Sequence, residues 1–315
     1  MSSLKAATLT VRAARAVRPS HASPTVRQIA TCSAPFKSSS RTAWQAVGVI
    51  GAATLGYAVW EPKPELLPAL TLLHADAPPS THTYVDPTTS TPFPSTLVSP
   101  DGTTLRLAGT GVRTVSFLSI RVYAVGFYVS QKEFELAKAG KIAGWEGYTP
   151  ERLIPPYSVP EGEPNRPVGE DLVGSLLEKA DAAVVIVPLR NTSLTHLRDA
   201  FTRAILARMK VPRVAEAFDA EANEQSGAAL VEFKSFFPAT NFKKGTSLEL
   251  YYSAAKRSVQ FMLENEKTGK RDVLGIFREP ILAKELMVSY FSNTTAPSSE
   301  LVKSVAMGFN GDGRP

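Results

Sequence analysis

The chain has 315 residues and a net charge of +6, with 35 Lys and Arg against 29 Asp and Glu. The excess is local: residues 1–41 hold Lys5, Arg12, Arg15, Arg18, Arg27, Lys37 and Arg41 and no acid, so the rest of the chain is close to neutral and is not expected to bind nucleic acid. The single cysteine, Cys32, excludes an intrachain disulfide, and four scattered histidines give no zinc spacing, so neither a metal nor another cofactor is expected.

The first 41 residues read as a mitochondrial presequence, being basic, acid-free and rich in Ser, Thr and Ala. Leu4, Ala7, Val11 and Ala14 fall near helical spacing with basic residues beside them, the pattern of an amphipathic import helix. Residues 42–60 carry no charge and would span roughly 27 Å as a helix, close to the thickness of a bilayer's hydrocarbon. Trp44 lies near one end and Tyr57 and Trp60 near the other, as interfacial aromatics do. This segment is expected to be a single transmembrane helix of the inner membrane. The basic flank puts its N-terminal end in the matrix and the body in the intermembrane space. Residues 61–95 are Pro-rich and read as a semi-extended tether.

A globular body is expected over residues 96–309, followed by a short tail, 310–315. Asp101-Gly102 between two β-prone runs signals a hairpin. Strands are predicted at 97–100, 103–108, 111–118 and 121–129, then a short helix at 131–139 and a Gly/Pro-rich loop to 167. A helix over 170–180 leads to a buried strand at 183–189. The clearest helix is 192–210, with Leu194, Leu197, Phe201, Ala204, Ile205 and Met209 as its apolar stripe. Arg198, Arg203 and Arg208 are read as decorating its other side. One helix over 212–235, strands at 246–253, 258–264 and 272–277, and helices at 281–291 and 298–307 complete the pattern. Blocks of strands and helices in this order predict an α+β fold, an antiparallel sheet with helices on one side.

The densest β-forming stretch, residues 105–130, holds one misplaced charge. Arg113 follows Gly109 and Gly111, and alternation puts it on one face with Val115 and Phe117. It is either at the rim of a core, paired with a helix carboxylate such as Glu170 or Asp171, or inside a pocket as an oxyanion-stabilising donor. The residues alone put the ion pair first. GTGVR has no Gly-Lys-Ser/Thr ending and is no phosphate loop, Gly-x-Ser-x-Gly is absent, and the body has no Cys–His pair. Tyr123 reads as core.

The run GTGVRTVSFLSIRVYAVGFYVS resembles the chalcone isomerase family, whose opening strands carry a glycine-flanked arginine followed by a run like VYAVGFY. VPLRNTSLTHLRDAFTRAIL, FKKGTSLELYYS, SVQFMLE, DVLGIF and PILAKELMVSYF are similar to later segments of that family, so the resemblance covers about residues 96–309. With the leader and apolar segment in front, the chain looks like the fungal mitochondrial branch. The resemblance implies an open-faced β-sandwich, with helices packed on a large antiparallel sheet. It also implies that Arg113 matches the catalytic arginine of an intramolecular lyase (an isomerase) that cyclises chalcones. Tyr123 then falls at the family's strand threonine, Leu194 and Phe201 near its helix tyrosine and asparagine, and Asp272 near a later polar pocket residue. The arginine is kept and much of the polar network is not. The rival implication is a non-catalytic binder of a small apolar or anionic ligand, of fatty-acid or tetrapyrrole type, with Arg113, Tyr123, Leu194 and Phe201 around it.

Overall fold

The structure is a computed structural model and describes residues 82–311, apart from 116–119, 160–161, 219 and 266. The expected presequence and the apolar segment 42–60 lie outside the described residues. No described helix is long and apolar enough to cross a membrane.

In chain order the elements are β1 (Thr83–Val85), β2 (Pro92–Pro94), β3 (Thr96–Val98), β4 (Thr104–Val115), β5 (Ile120–Ser130), α1 (Gln131–Lys138), α2 (Gly169–Leu177), β6 (Ala182–Pro188) and β7 (Thr192–Ser193). Then come α3 (Leu194–Arg208), α4 (Pro212–Ala215), α5 (Ala220–Ser235), β8 (Asn241–Phe242), β9 (Leu248–Ser253), β10 (Ser258–Glu264), β11 (Arg271–Phe277), α6 (Pro280–Val288) and α7 (Ser299–Asn310). Seven strands form one sheet in the order β11-β10-β9-β6-β5-β4-β3, and every neighbouring pair is antiparallel. The expected α+β architecture, helices on one face of an antiparallel sheet, is what the chain adopts.

The two sheet faces have separate cores. Residues from α1 to α7 pack with Tyr123, Val125, Phe127 and Val129 of β5 on one face. On the other, Phe93 packs with Leu97, Leu105, Leu107, Ala124 and Tyr128. Phe93 is fully buried, the Tyr128 hydroxyl donates to the Pro94 carbonyl at 2.9 Å, and β1 pairs with β2. β1 and β2 therefore lie inside the stretch 61–95 read as a tether and pack on the body. Proline cannot donate to a ladder but is tolerated in a short edge pair such as this one. At the other end α7 runs to Asn310 and stops at Gly311, whose left-handed φ of 86° suits glycine.

One irregularity decides which way Arg113 points. β4 is a single strand, where the sequence suggests two. Its register against β5 shifts between Leu107 and Gly109, leaving Ala108 as an extra residue. Leu105 and Leu107 belong to the helix-free face, and unbroken alternation would put Gly109, Gly111 and Arg113 there too. The bulge reverses the parity, so these three residues face the helices. The glycines are needed where they are. A Cβ at Gly111 would lie 2.3 Å from the Leu301 backbone nitrogen, and one at Gly109 would lie 2.5 Å from that of Val305, so α7 rests directly on the strand.

The expected single helix over 212–235 is broken between α4 and α5, where Phe218 turns in to pack on the core. α3 begins at Leu194, capped by the Ser193 hydroxyl, which accepts from the His196 backbone N–H at 3.2 Å.

Candidate functional site

β4 and β5 present Arg113 and Tyr123 as directly opposed residues on the helix-facing side. The half-buried Arg113 lies with its guanidinium carbon 5.9 Å from the centre of the buried Tyr123 ring, within cation–π range. α3 crosses above them and contributes Leu197, Phe201, Arg203 and Arg208. The short 3-10 turn Ser289–Phe291, which follows α6, contributes Tyr290. Together these residues line a cavity of about 250 Å³.

The charged side chains that line this cavity are all arginines, and one of them, Arg208, is already paired to two carboxylates behind it. Arg113, Arg203 and Arg208 line it, and among its described lining residues there is no carboxylate. The carboxylates suggested for Arg113 are engaged elsewhere: Glu170 pairs with Arg208 at 2.7 Å, and Asp171 pairs with Arg213 at 2.9 Å. Glu285 accepts from Arg208 at 2.8 Å and from Arg213 at 2.7 Å, which makes a buried network behind α3. Burial acts to raise the Glu170 pKa, but hydrogen bonds from Arg208 and the Asn293 backbone outweigh it and hold the carboxyl below its usual range. Burial pushes the Tyr123 phenol up, against the pull of Arg113, and pushes Tyr290 well up. Both phenols therefore keep their protons at neutral pH and are available as hydrogen-bond donors.

Of the residues expected at the site, Arg113, Tyr123 and Phe201 come together in this cavity. Leu194 does not line it: the first residue of α3 is fully buried in the core one to two turns away. Asp272 is exposed on β11 at the opposite edge of the sheet and accepts from the Asn265 side-chain amide at 3.1 Å. β11 is five places from β4 in the strand order, and Asp272 is not among the residues that line the Arg113 cavity. Val115 continues the face at the exposed end of β4, and Phe117 lies outside the described residues.

Among the lining residues that were not anticipated, Arg208 and Tyr290 matter most. Arg208 is 3% exposed, not on the solvent side of α3. Its signal was available, since Phe201, Ile205 and Arg208 follow helical spacing and put Arg208 on the apolar stripe. Tyr290 gave no local signal: it lies in an apolar run, and a tyrosine there reads as core.

A larger cavity, about 600 Å³, lies on the helix-free face between the β1–β2 hairpin and β6, β9 and β10. Its charges are mixed: Glu249 and Glu264 line it with Lys244 and Arg271, and Arg271 pairs with Glu249 at 3.2 Å. It has no net preference for one sign.

A model of proteins described as chalcone isomerase like matches residues 103–306. The chain belongs to the chalcone isomerase-like family. Fungal relatives within reach of this chalcone isomerase-like protein carry the name altered inheritance of mitochondria protein 18, mitochondrial. The Debaryomyces hansenii protein is 30% identical over 251 residues, covering 75% of this chain and 77% of its own length. That of Eremothecium gossypii is 30% identical over 224 residues, covering 68% and 70%. A crystal structure of an Arabidopsis thaliana fatty-acid binding protein aligns over 72% of this chain and 100% of its own, with TM-score 0.47 and 18% identity. The match to the family spans β4 to α7, the elements that build the Arg113 cavity.

Proposed function

We propose that this chain is a mitochondrial binding protein for a small apolar molecule carrying a carboxylate, of fatty-acid or tetrapyrrole type, held in the Arg113 cavity. The observation that carries the reading is the lining: Arg113 and Arg203 with no described carboxylate among the lining residues, Arg208 being held by Glu170 and Glu285, set against the apolar walls of Leu197 and Phe201. A half-buried guanidinium binds a planar oxyanion and can do so with two parallel hydrogen bonds. The wall supplies the apolar contact that ligand cavities use for affinity.

The second reading is the family's intramolecular lyase chemistry, favoured by Arg113 beside a phenol donor, a pair suited to a developing enolate. The protonated state of Tyr123 and Tyr290 leaves neither of them as a general base at neutral pH, which weighs toward binding. Mitochondrial placement is supported by the acid-free basic leader and by the relatives' names. A single inner-membrane pass at residues 42–60, with the body in the intermembrane space, is part of the same proposal. Protease protection in intact against outer-membrane-ruptured mitochondria tests it, and a body resistant after rupture would defeat it.

The full chain and its Arg113→Ala variant are titrated with dodecanoate and with protoporphyrin IX, and both proteins are assayed for cyclisation of a chalcone. Binding of either ligand that is lost in the variant, without turnover, supports the binding reading. Turnover by the wild type alone establishes the lyase. A wild-type chain that binds neither ligand overturns the proposal.

A further inference from the structure

We propose that Tyr290 is a ligand-binding residue of the Arg113 cavity: its hydroxyl donates to the oxyanion that Arg113 and Tyr123 hold, so the site selects a group with several acceptor lone pairs, a carboxylate. This rests on the binding reading above and adds a specific donor to it.

The Tyr290 hydroxyl lacks a full hydrogen bond. Tyr290 is 2% exposed. The Tyr123 hydroxyl approaches it closely enough for a weak hydrogen-bonding interaction, short of a bond of normal length and angle. A buried hydroxyl without a partner carries its full desolvation penalty, and native proteins leave few of them. Arg208 Nη2 is also buried without a hydrogen bond. It lies 2.8 Å from Glu285 Oε2, an ion-pair contact that falls outside hydrogen-bond geometry. Tyr290 and Arg208 come from different elements, 82 positions apart in sequence, yet both line the same cavity.

Local structure shows how Tyr290 is held. The 3-10 turn Ser289–Phe291 sends Phe291 into the core, edge-on to Phe127 with ring centres 4.8 Å apart, and this anchors the turn that presents its neighbour to the cavity. Burial keeps the phenol protonated, so it can only gain by finding an acceptor. A carboxylate offers about four lone-pair sites, enough for a guanidinium and two phenols at once. The mixed-charge cavity on the other face has no such orphan donor among its described residues.

The test is Tyr290→Phe in the full chain, with affinity for dodecanoate and protoporphyrin IX measured by calorimetry and stability by urea unfolding. Loss of one hydrogen bond to a charged group is expected to weaken binding about tenfold. Because the hydroxyl makes no full hydrogen bond within the fold, stability is expected to stay level or rise, which a structural tyrosine would not show. Unchanged affinity in Tyr290→Phe, with binding lost in Arg113→Ala, overturns this inference and leaves the binding reading in place. A drop in stability with unchanged affinity overturns it likewise. If the wild type binds neither probe, both readings fall.

Discussion

Arg113 on β4 and Tyr123 on β5 are directly paired across the sheet, and the guanidinium sits over the phenol ring at 5.9 Å. The pairing exists on the helix side only because of the extra residue at Ala108, which turns the odd-numbered end of β4 over. A cation that would otherwise have met Leu97 and Phe93 instead faces α3. The site is thus a consequence of one register shift in a long strand, supported by two glycines that let α7 lie close.

That close approach gives a prediction of opposite sign for two glycines. Gly308→Ala puts a Cβ 2.0 Å from the Ala108 carbonyl oxygen, backbone against backbone, and is expected to cost about 3 kcal/mol. Gly174→Ala, in the middle of α2 with nothing within 4 Å, is expected to stabilise by about 0.5–1 kcal/mol. Urea unfolding midpoints check both.

Leu194 and Phe201 separate core from site. Leu194→Ala is expected to cost about 3 kcal/mol and to leave the ligand affinity of the folded protein unchanged. Phe201→Ala should cost a similar amount, because its ring packs near Phe237 and Phe261 at 6.0 and 6.1 Å, and should also weaken ligand binding, because the same ring lines the cavity. Unfolding and calorimetric titration, run on the same preparations, distinguish the two outcomes.

Glu170 sets an acid-side dependence. Its carboxyl titrates lower in the folded chain than the unfolded value of about 4.3, so its contribution is complete above that value and is lost as pH falls through the depressed one. Glu170→Gln is expected to be less stable at pH 7 and to lose less stability than the wild type below about pH 4.5. Equal acid limbs in urea unfolding at pH 7 and pH 3 would show that the Glu170–Arg208 pair adds nothing.

Much of the fold could be read from residue spacing. The strand over Ser258–Glu264 lies at its predicted bounds, and the α3 stripe of Leu194, Leu197, Phe201 and Ile205 is the buried face. Hydrophobic periodicity reports burial, and burial is what builds these elements. The β1–β2 hairpin escaped because its stability comes from Phe93 and Tyr128 packing across the sheet, while its prolines carry a loop signal. The site was legible at Arg113, where a charge interrupts a β-forming run. It was not legible at Tyr290, which looks like any core aromatic until the cavity and its missing acceptor are seen. Asp272 lies away from the cavity for a different reason: chain order does not say which place in the sheet a strand will occupy.

Arg113 is proposed to read a carboxylate. The most direct measurement compares dodecanoate with dodecanol, by calorimetry, on the full chain and on Arg113→Gln. The account predicts that the wild type prefers the acid by tenfold or more, and that the variant loses this preference while keeping its affinity for the alcohol. An equal preference in wild type and variant would contradict it.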